Sequence, residues 1–275
     1  DLLKDRCKVD EETRFDYSHD HTEGLSSLPA LVLFPESPEE VSAILKYCNA
    51  NILPVTPIGA RTGLSGGAIP CVDGIAMSME RFNKILSIDE LNHQMITEPG
   101  VITQVLQDTV KEKGLFYPPD PASKGSCFIG GNIAENSGGP KAVKYGVTAQ
   151  YVLNLEVVLP NGEIIWTGAN TLKNATGYNL TQLIVGSEGT LGVVTKIVLK
   201  LLPHPTHDLL LLVPFNKMEQ ACETVAAIYQ EGIIPSCMEF MERKALEVAQ
   251  KFSDNYTLDI APNTEAFLLI EVDGF

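Results

Sequence analysis

The sequence predicts an α+β protein of two successive domains, and three observations carry that reading. A β-α-β pattern begins at Leu31, antiparallel strand patterns crowd residues 151–202, and beyond Pro203-His204-Pro205 strands and helices alternate to the end. At 275 residues the chain is long enough for one large core or two modest ones.

Taken in order, residues 31–34 are an apolar run that reads as the first strand. Ser37 stands as a helix N-cap, with Pro38 at the first helical position and Glu40 at the third, and Val41, Ile44, Leu45 and Cys48 form the apolar face. Residues 52–55 make a second strand, and Ile75, Met77 and Met79 alternate along a third. Residues 94–98 read as a strand, and about 101–113 as a helix closed by Gly114. Residues 117–145, rich in Gly, Pro, Ser and Asn, are expected as a long irregular loop, a length that usually serves function inside a compact domain. Asn161-Gly162 between strands 151–159 and 163–167 is a hairpin signal, and 192–202 is another long strand.

Pro203-His204-Pro205 is expected to mark a domain boundary. Strand 209–215, helix 218–230, strand 236–240, helix 242–252 and strand 266–272 follow. The chain stops at Phe275, directly after Asp273-Gly274, so the second domain is expected to be incomplete. An Asp at position 1 raises the same expectation for the other end.

Hydrophobic residues make up 44% and charged residues 20%, an ordinary globular balance, while a net charge of -15 disfavours nucleic acid and anionic membranes as partners. No apolar run approaches a membrane span or the core of a signal peptide. Cys7, Cys48, Cys71, Cys127, Cys222 and Cys237 show no C-x-x-C spacing, which speaks against an iron–sulfur cluster or zinc site. They are expected as buried free thiols in a reducing compartment.

The most informative stretch is PIGARTGLSGG, residues 57–67, where four glycines crowd one loop after a strand. Glycine lets a ligand approach the main chain closely, and successive backbone N–H groups make an anion cradle. A P-loop would need a Gly-Lys-Ser/Thr ending, yet no lysine occurs between Lys46 and Lys84; a Rossmann fingerprint would need a helix next, where AIPCVDGIAMSME reads as turn and strand. A phosphate cradle of non-Rossmann form and a plain surface turn both remain open from this segment alone.

Two more glycine-rich segments, 117–146 and 186–195, demand a common explanation. RTGLSGG, PDPASKGSCFIGGNIAENSGG, KYG, NATGYNL and IVGSEGTLGVVTKI, in that order, closely resemble the vanillyl-alcohol oxidase and p-cresol methylhydroxylase superfamily. Within it they are similar to the branch of glycolate oxidase flavoprotein subunits, D-lactate dehydrogenases and D-2-hydroxyglutarate dehydrogenases. The resemblance implies a two-subdomain PCMH-type FAD-binding domain over residues 27–204 (subdomains about 27–90 and 91–204), preceded by a segment 1–26. After it would come, over residues 205–275, the start of an incomplete α+β, ferredoxin-like substrate cap domain.

It further implies FAD held between the subdomains, with Gly59, Ala60, Arg61, Thr62, Gly63 and Ser65 wrapping the pyrophosphate and Pro57 and Ile58 also contacting the cofactor. Pro119, Asp120, Ser123, Gly130, Gly131, Asn132, Asn136, Ser137, Gly138, Tyr145 and Gly146 would lie beside the flavin ring and ribityl chain, and Glu188, Gly192 and Val193 at the adenosine end. Arg61 reads equally as a solvated loop residue, Asn136 as a turn residue, Lys144 as a surface charge and Glu188 as a turn cap. Residues 57–67 hold neither His nor Cys and this branch usually binds FAD without a covalent bond, so dissociable FAD is expected.

By the same resemblance the activity is oxidation of glycolate, D-lactate or D-2-hydroxyglutarate to the 2-oxo acid by hydride transfer to flavin N5. Electrons would leave to a quinone, an electron-transfer flavoprotein or an iron–sulfur subunit, in a homodimer or hetero-complex. The expected location is cytoplasmic, or peripheral at a membrane through a partner subunit. The catalytic residues and any divalent metal ligands are expected beyond Phe275, since no H-x-G-D-G-N-x-H-like segment occurs; His19 and His21 sit in a polar, turn-like stretch and read as surface residues. The alternatives are a non-catalytic FAD-binding subunit of a glycolate-oxidase-like complex and, more remotely, the reductase that makes UDP-N-acetylmuramate.

Overall fold

The computed structural model describes residues 3–252 and 258–275. The chain divides into two compact units, Asp1–Tyr117 with Pro121–Ser137 and Val147–His204, and Pro118–Asp120 with Gly138–Gly146 and Pro205–Phe275.

In the first unit β1 (Cys7–Lys8) and α1 (Glu11–Asp16) lead to β2 (Leu31–Leu33), α2 (Pro38–Ala50) and β3 (Val55–Ile58). Ser37 Oγ accepts the Glu40 N–H at 3.2 Å and Pro38 stands in the first turn, so α2 begins where its capping residues place it. β4 (Ile75–Ser78) runs parallel between β2 and β3, and β1 adds an antiparallel edge, giving the order β1-β2-β4-β3. Every residue of β4 is buried. Ile75 and Met77 pack with Val41, Ile44, Leu45 and Cys48 of α2, while Ala76 packs on the opposite face with Tyr17, Val32, Phe34 and Ile58. This is the enclosure on both faces that a central parallel strand requires. Arg6 grips Glu40 with two nitrogens at 2.5 and 2.7 Å, tying the N-terminal segment to the first turn of α2 and holding the Glu40 carboxyl below its ordinary range.

The second sheet of this unit is antiparallel. It is built from β5 (Ile85–Asp89), β6 (Gln94–Thr97), β8 (Val152–Val158), β9 (Ile164–Trp166) and β10 (Val193–Lys200) in the order β5-β6-β10-β8-β9. Gly162 turns the β8–β9 hairpin at φ +81. α3 (Thr103–Lys111) is followed by β7 (Leu115–Phe116), which pairs with β11 (Leu202–Pro203), so Pro203 belongs to a short ladder as well as to the break in sequence. α6 (Leu180–Ile184) is capped by Asn179, whose side chain accepts the Gln182 N–H.

Two expectations are corrected here. Residues 117–145 are not an unbroken irregular loop, since they hold α4 (Ile129–Glu135) and α5 (Ala142–Tyr145); paired glycines at 130 and 131 hide α4 from a propensity reading. The cysteines are free, but Cys7, Cys71 and Cys222 are exposed and only Cys48, Cys127 and Cys237 are buried. His19 and His21 are exposed, and among the described residues no group of His, Cys, Asp or Glu is arranged to hold a metal ion. Among them, too, no helix is long and apolar enough to cross a membrane.

The second unit has β12 (His207–Phe215), α7 (Met218–Gln230), β13 (Cys237–Glu242), α8 (Arg243–Lys251) and β14 (Ala266–Gly274), with an antiparallel sheet ordered β12-β14-β13. Ala221, Val225 and Ile228 of α7 pack on Leu268 and Ile270 of β14. Segment Gly138–Gly146 is stapled to β14 by charge: Lys141 Nζ lies 2.5 Å from Glu271 Oε1, and Lys144 Nζ 2.5 Å from Asp273 Oδ1, which also accepts Tyr145 O–H at 2.8 Å. Lys144 is therefore no free surface charge.

Candidate functional site

The loop 59–74 leaves the C-terminal end of β3 and returns as β4. Among the described residues, none of the backbone N–H groups from Gly59 to Ala68 donates to a backbone carbonyl. Unpaired amides in such a run, on the wall of a cavity, are the donor set that an anionic group needs. The loop is anchored from outside: His21 N–H donates to Gly63 O at 3.1 Å. Arg61 adopts φ +60, its guanidinium stands 4.1 Å over the Tyr17 ring, and it donates to Asp16 O. These contacts hold its charge beside the loop, with the residue half-buried.

Opposite the loop lies α4. Gly130 N–H donates to Pro99 O at 2.8 Å, Ile129 N–H to Val101 O at 2.9 Å, and Asn132 Nδ2 to the buried Thr103 Oγ1 at 2.6 Å. An ideal Cβ at Gly130 would meet Pro99 Cβ at 2.5 Å, whereas at Gly131 nothing lies within 4 Å. Gly130 is thus demanded by packing, and Gly131 faces open space. The last carbonyls of α4 are taken by the third glycine-rich segment: Gly186 N–H donates to Ile133 O at 2.9 Å and Glu188 N–H to Ala134 O at 3.0 Å. Glu188 holds φ +53 in that turn. Gly192 lies so close to β8 that a Cβ would meet Val157 Cγ1 at 2.6 Å.

The loop, α4 and the 186–193 turn enclose a cavity of about 530 Å³, within the range of small-molecule and cofactor sites. Of the residues expected from sequence, it brings together Pro57, Ile58, Gly59, Ala60, Arg61, Thr62, Gly63, Ser65, Ser123, Gly130, Gly131, Asn132, Ser137, Glu188, Gly192 and Val193. Pro119, Asp120, Gly138, Tyr145 and Gly146 belong to the second unit and do not line it. Asn136 does not line it either; at φ +51 it caps α4, and its Oδ1 accepts the Ala149 N–H at 2.9 Å.

Two lining carboxylates escaped the sequence reading. Glu135, in the last turn of α4, has both oxygens 3.2 Å from Ser65 Oγ, and its carboxyl is raised above the ordinary range by burial, with Glu188 and Asp20 acting in the same direction. Asp20 is 5% exposed; Oδ1 accepts the Thr22 N–H at 2.8 Å and Oδ2 has no hydrogen-bond partner among the described residues. Their positions were in view, since Asp20 stands between His19 and His21 and Glu135 lies inside PDPASKGSCFIGGNIAENSGG, stretches weighed there for histidine and glycine.

Unpaired amides, close-packed glycine turns and an open face over Gly131 make this a non-Rossmann site with the donors that an anionic cofactor needs. The chain belongs to the FAD-linked oxidases, whose FAD binding domain matches residues 29–168 and whose C-terminal domain matches residues 204–275. It is 44% identical over 261 residues to the glycolate oxidase subunit GlcD of Bacillus subtilis (strain 168), covering 95% of this chain and 55% of that protein. It is 40% identical over 279 residues to a D-lactate dehydrogenase of Anaerostipes hadrus, covering 100% of this chain and 58% of the relative. The solved structure of an alkyldihydroxyacetonephosphate synthase has the same fold, with TM-score 0.86 at 21% identity over 99% of this chain and 54% of that one. The chain spans about half the length of the relatives it matches. FAD is the cofactor of this family, and the unpaired amides of residues 59–68 suit its diphosphate.

Proposed function

We propose that this chain is the FAD-holding part of an oxidoreductase that converts a D-2-hydroxy acid, of the size of glycolate, D-lactate or D-2-hydroxyglutarate, to the 2-oxo acid. The single observation that carries the cofactor side is the run of unpaired amides from Gly59 to Ala68 on the cavity wall. The names of the relatives, glycolate oxidase subunit and D-lactate dehydrogenase, support the substrate class.

FAD, when bound, supplies the two-electron acceptor. The amides of residues 59–65 hold its diphosphate, with the Thr62 hydroxyl adding a donor. Gly131 leaves room for a planar group against α4, and Ser123 and Ser137 line the same wall. Glu188, Gly192 and Val193 close the adenosine end. No cysteine or histidine stands in residues 57–67, and the flavin is held without a covalent bond from that loop. Reducing equivalents pass on to a quinone, an electron-transfer flavoprotein or an iron–sulfur subunit.

Anaerobic titration of the FAD-loaded protein, expressed from its whole reading frame, with glycolate, D-lactate, D-2-hydroxyglutarate and NADPH tests this. Bleaching of the flavin absorbance by one or more hydroxy acids is expected. Bleaching by NADPH alone would overturn the reading, and flavin that no donor reduces would make the protein a flavin-holding subunit.

A further inference from the structure

The cavity assigned to an anionic diphosphate is walled by acids. Glu135 on α4 is faced by Ser65 and Gly67 from the β3–β4 loop, by Glu188 from the 186–193 turn and by Asp20 from the segment after α1. An ideal Cβ on Gly67 would fall 2.9 Å from Glu135 Oε1 and 3.5 Å from Glu188 Oε2, so both carboxylates lie directly against the loop. The cation of the cavity wall, Arg61, is engaged by the Tyr17 ring and Asp16 O. The Ser65 hydroxyl, expected to serve the phosphate, stands 3.2 Å from both Glu135 oxygens.

An ionised carboxylate and a phosphate oxygen are both acceptors, and each would compete for that one hydroxyl. A neutral carboxyl group brings a donor of its own and releases Ser65. We infer that Glu135 takes up one proton from solvent when FAD binds, its Oε–H then standing as a hydrogen-bond donor to the diphosphate edge. One O–H bond forms at a carboxylate oxygen and no other bond changes. Burial, with the neighbouring Glu188 and Asp20, raises the Glu135 carboxyl above its ordinary range in the free protein, which lowers the cost of adding the proton. The inference rests on the placement of the diphosphate at residues 59–65.

Calorimetric titration of the apoprotein with FAD at pH 7, in EDTA and in two buffers of different ionisation enthalpy, reads the proton directly. The expected uptake is about one proton per FAD, with affinity falling about tenfold per pH unit once free Glu135 is ionised. Glu135→Gln, which keeps a donor and loses the titration, should bind FAD with uptake near zero and a flat pH profile. FAD binding without proton uptake in the parent protein overturns the inference and leaves the cavity reading intact, whether or not the variant folds. Uptake that survives in Glu135→Gln overturns the assignment to this residue, and binding that requires Mg²⁺ in place of EDTA assigns the charge balance to a cation instead. Failure to bind FAD at all overturns the cavity reading itself.

Discussion

Gly130 and Gly131 are neighbours in one helix turn, yet alanine at the two positions should have opposite effects. At Gly130 the new Cβ would lie 2.5 Å from Pro99 Cβ, 3.0 Å from Pro99 O and 3.2 Å from Pro99 Cα. Pro99 is fixed by its ring and by the Gly130 N–H bond to its carbonyl, so it cannot turn aside. Overpacking of this kind costs about 1–3 kcal/mol, and the overlap places it at the upper end. Alanine's helix preference returns roughly 0.5–1 kcal/mol, leaving a loss of about 2 kcal/mol. For a unit of this size that is a drop in Tm of about 4–8 °C, measurable by thermal or urea unfolding of the apoprotein. At Gly131 nothing stands within 4 Å, and the helix preference is gained without a clash. Gly131→Ala should therefore leave the apoprotein as stable as the parent or slightly more so, while its methyl projects into the cavity and weakens FAD by about tenfold, roughly 1.4 kcal/mol. A Gly130→Ala protein as stable as the parent, or a Gly131→Ala protein that binds FAD with parental affinity, would refute the packing argument.

Other outcomes follow from the ion pairs and the cofactor loop. The Asp273 side chain is 4% exposed and bonded to Lys144 and Tyr145, so changing it to Ala should cost about 3 kcal/mol, read from urea unfolding of the protein. The Glu40 carboxyl is depressed in the folded state by Arg6, so its contribution is present above the ordinary glutamate range and is lost as pH falls through the folded value. The Tm difference between the parent and Glu40→Gln should accordingly shrink as pH is lowered from neutral, and a difference that grows toward acid would contradict the sign. Acid precipitation of the FAD-loaded protein should leave a colourless pellet and a yellow supernatant, whereas colour retained on the polypeptide would show a covalent link.

What was legible in the sequence follows from where the physics is local. Ser37, Pro38 and Glu40 announce α2 because capping and a fixed proline φ act within one turn. Asn161-Gly162 announces the β8–β9 hairpin for the same reason. α4 was illegible because two glycines occupy its first turn. The helix forms there through tertiary bonds, from Ile129 and Gly130 N–H to Val101 and Pro99 at one end, and from Gly186 and Glu188 N–H at the other. β1, β7 and β11 have two residues each, too few for any period to show. At the site, glycine spacing pointed to the loop and the two segments that join it. Asp20 and Glu135 lie within or beside those polar and glycine-rich stretches, but their part depends on a burial that single-residue patterns do not encode.

On the proposed function, backbone amides of the β3–β4 loop receive the cofactor's diphosphate. Titration of the ¹⁵N-labelled protein with FAD, followed by amide chemical shifts, tests it most directly, with ADP as the ring-free comparison. The resonances of Gly59 to Ala68 should move with both ligands in a saturable one-to-one manner, and Gly131 should respond to FAD more than to ADP. Saturable FAD binding that leaves the Gly59–Ala68 amides unmoved while others shift would contradict it.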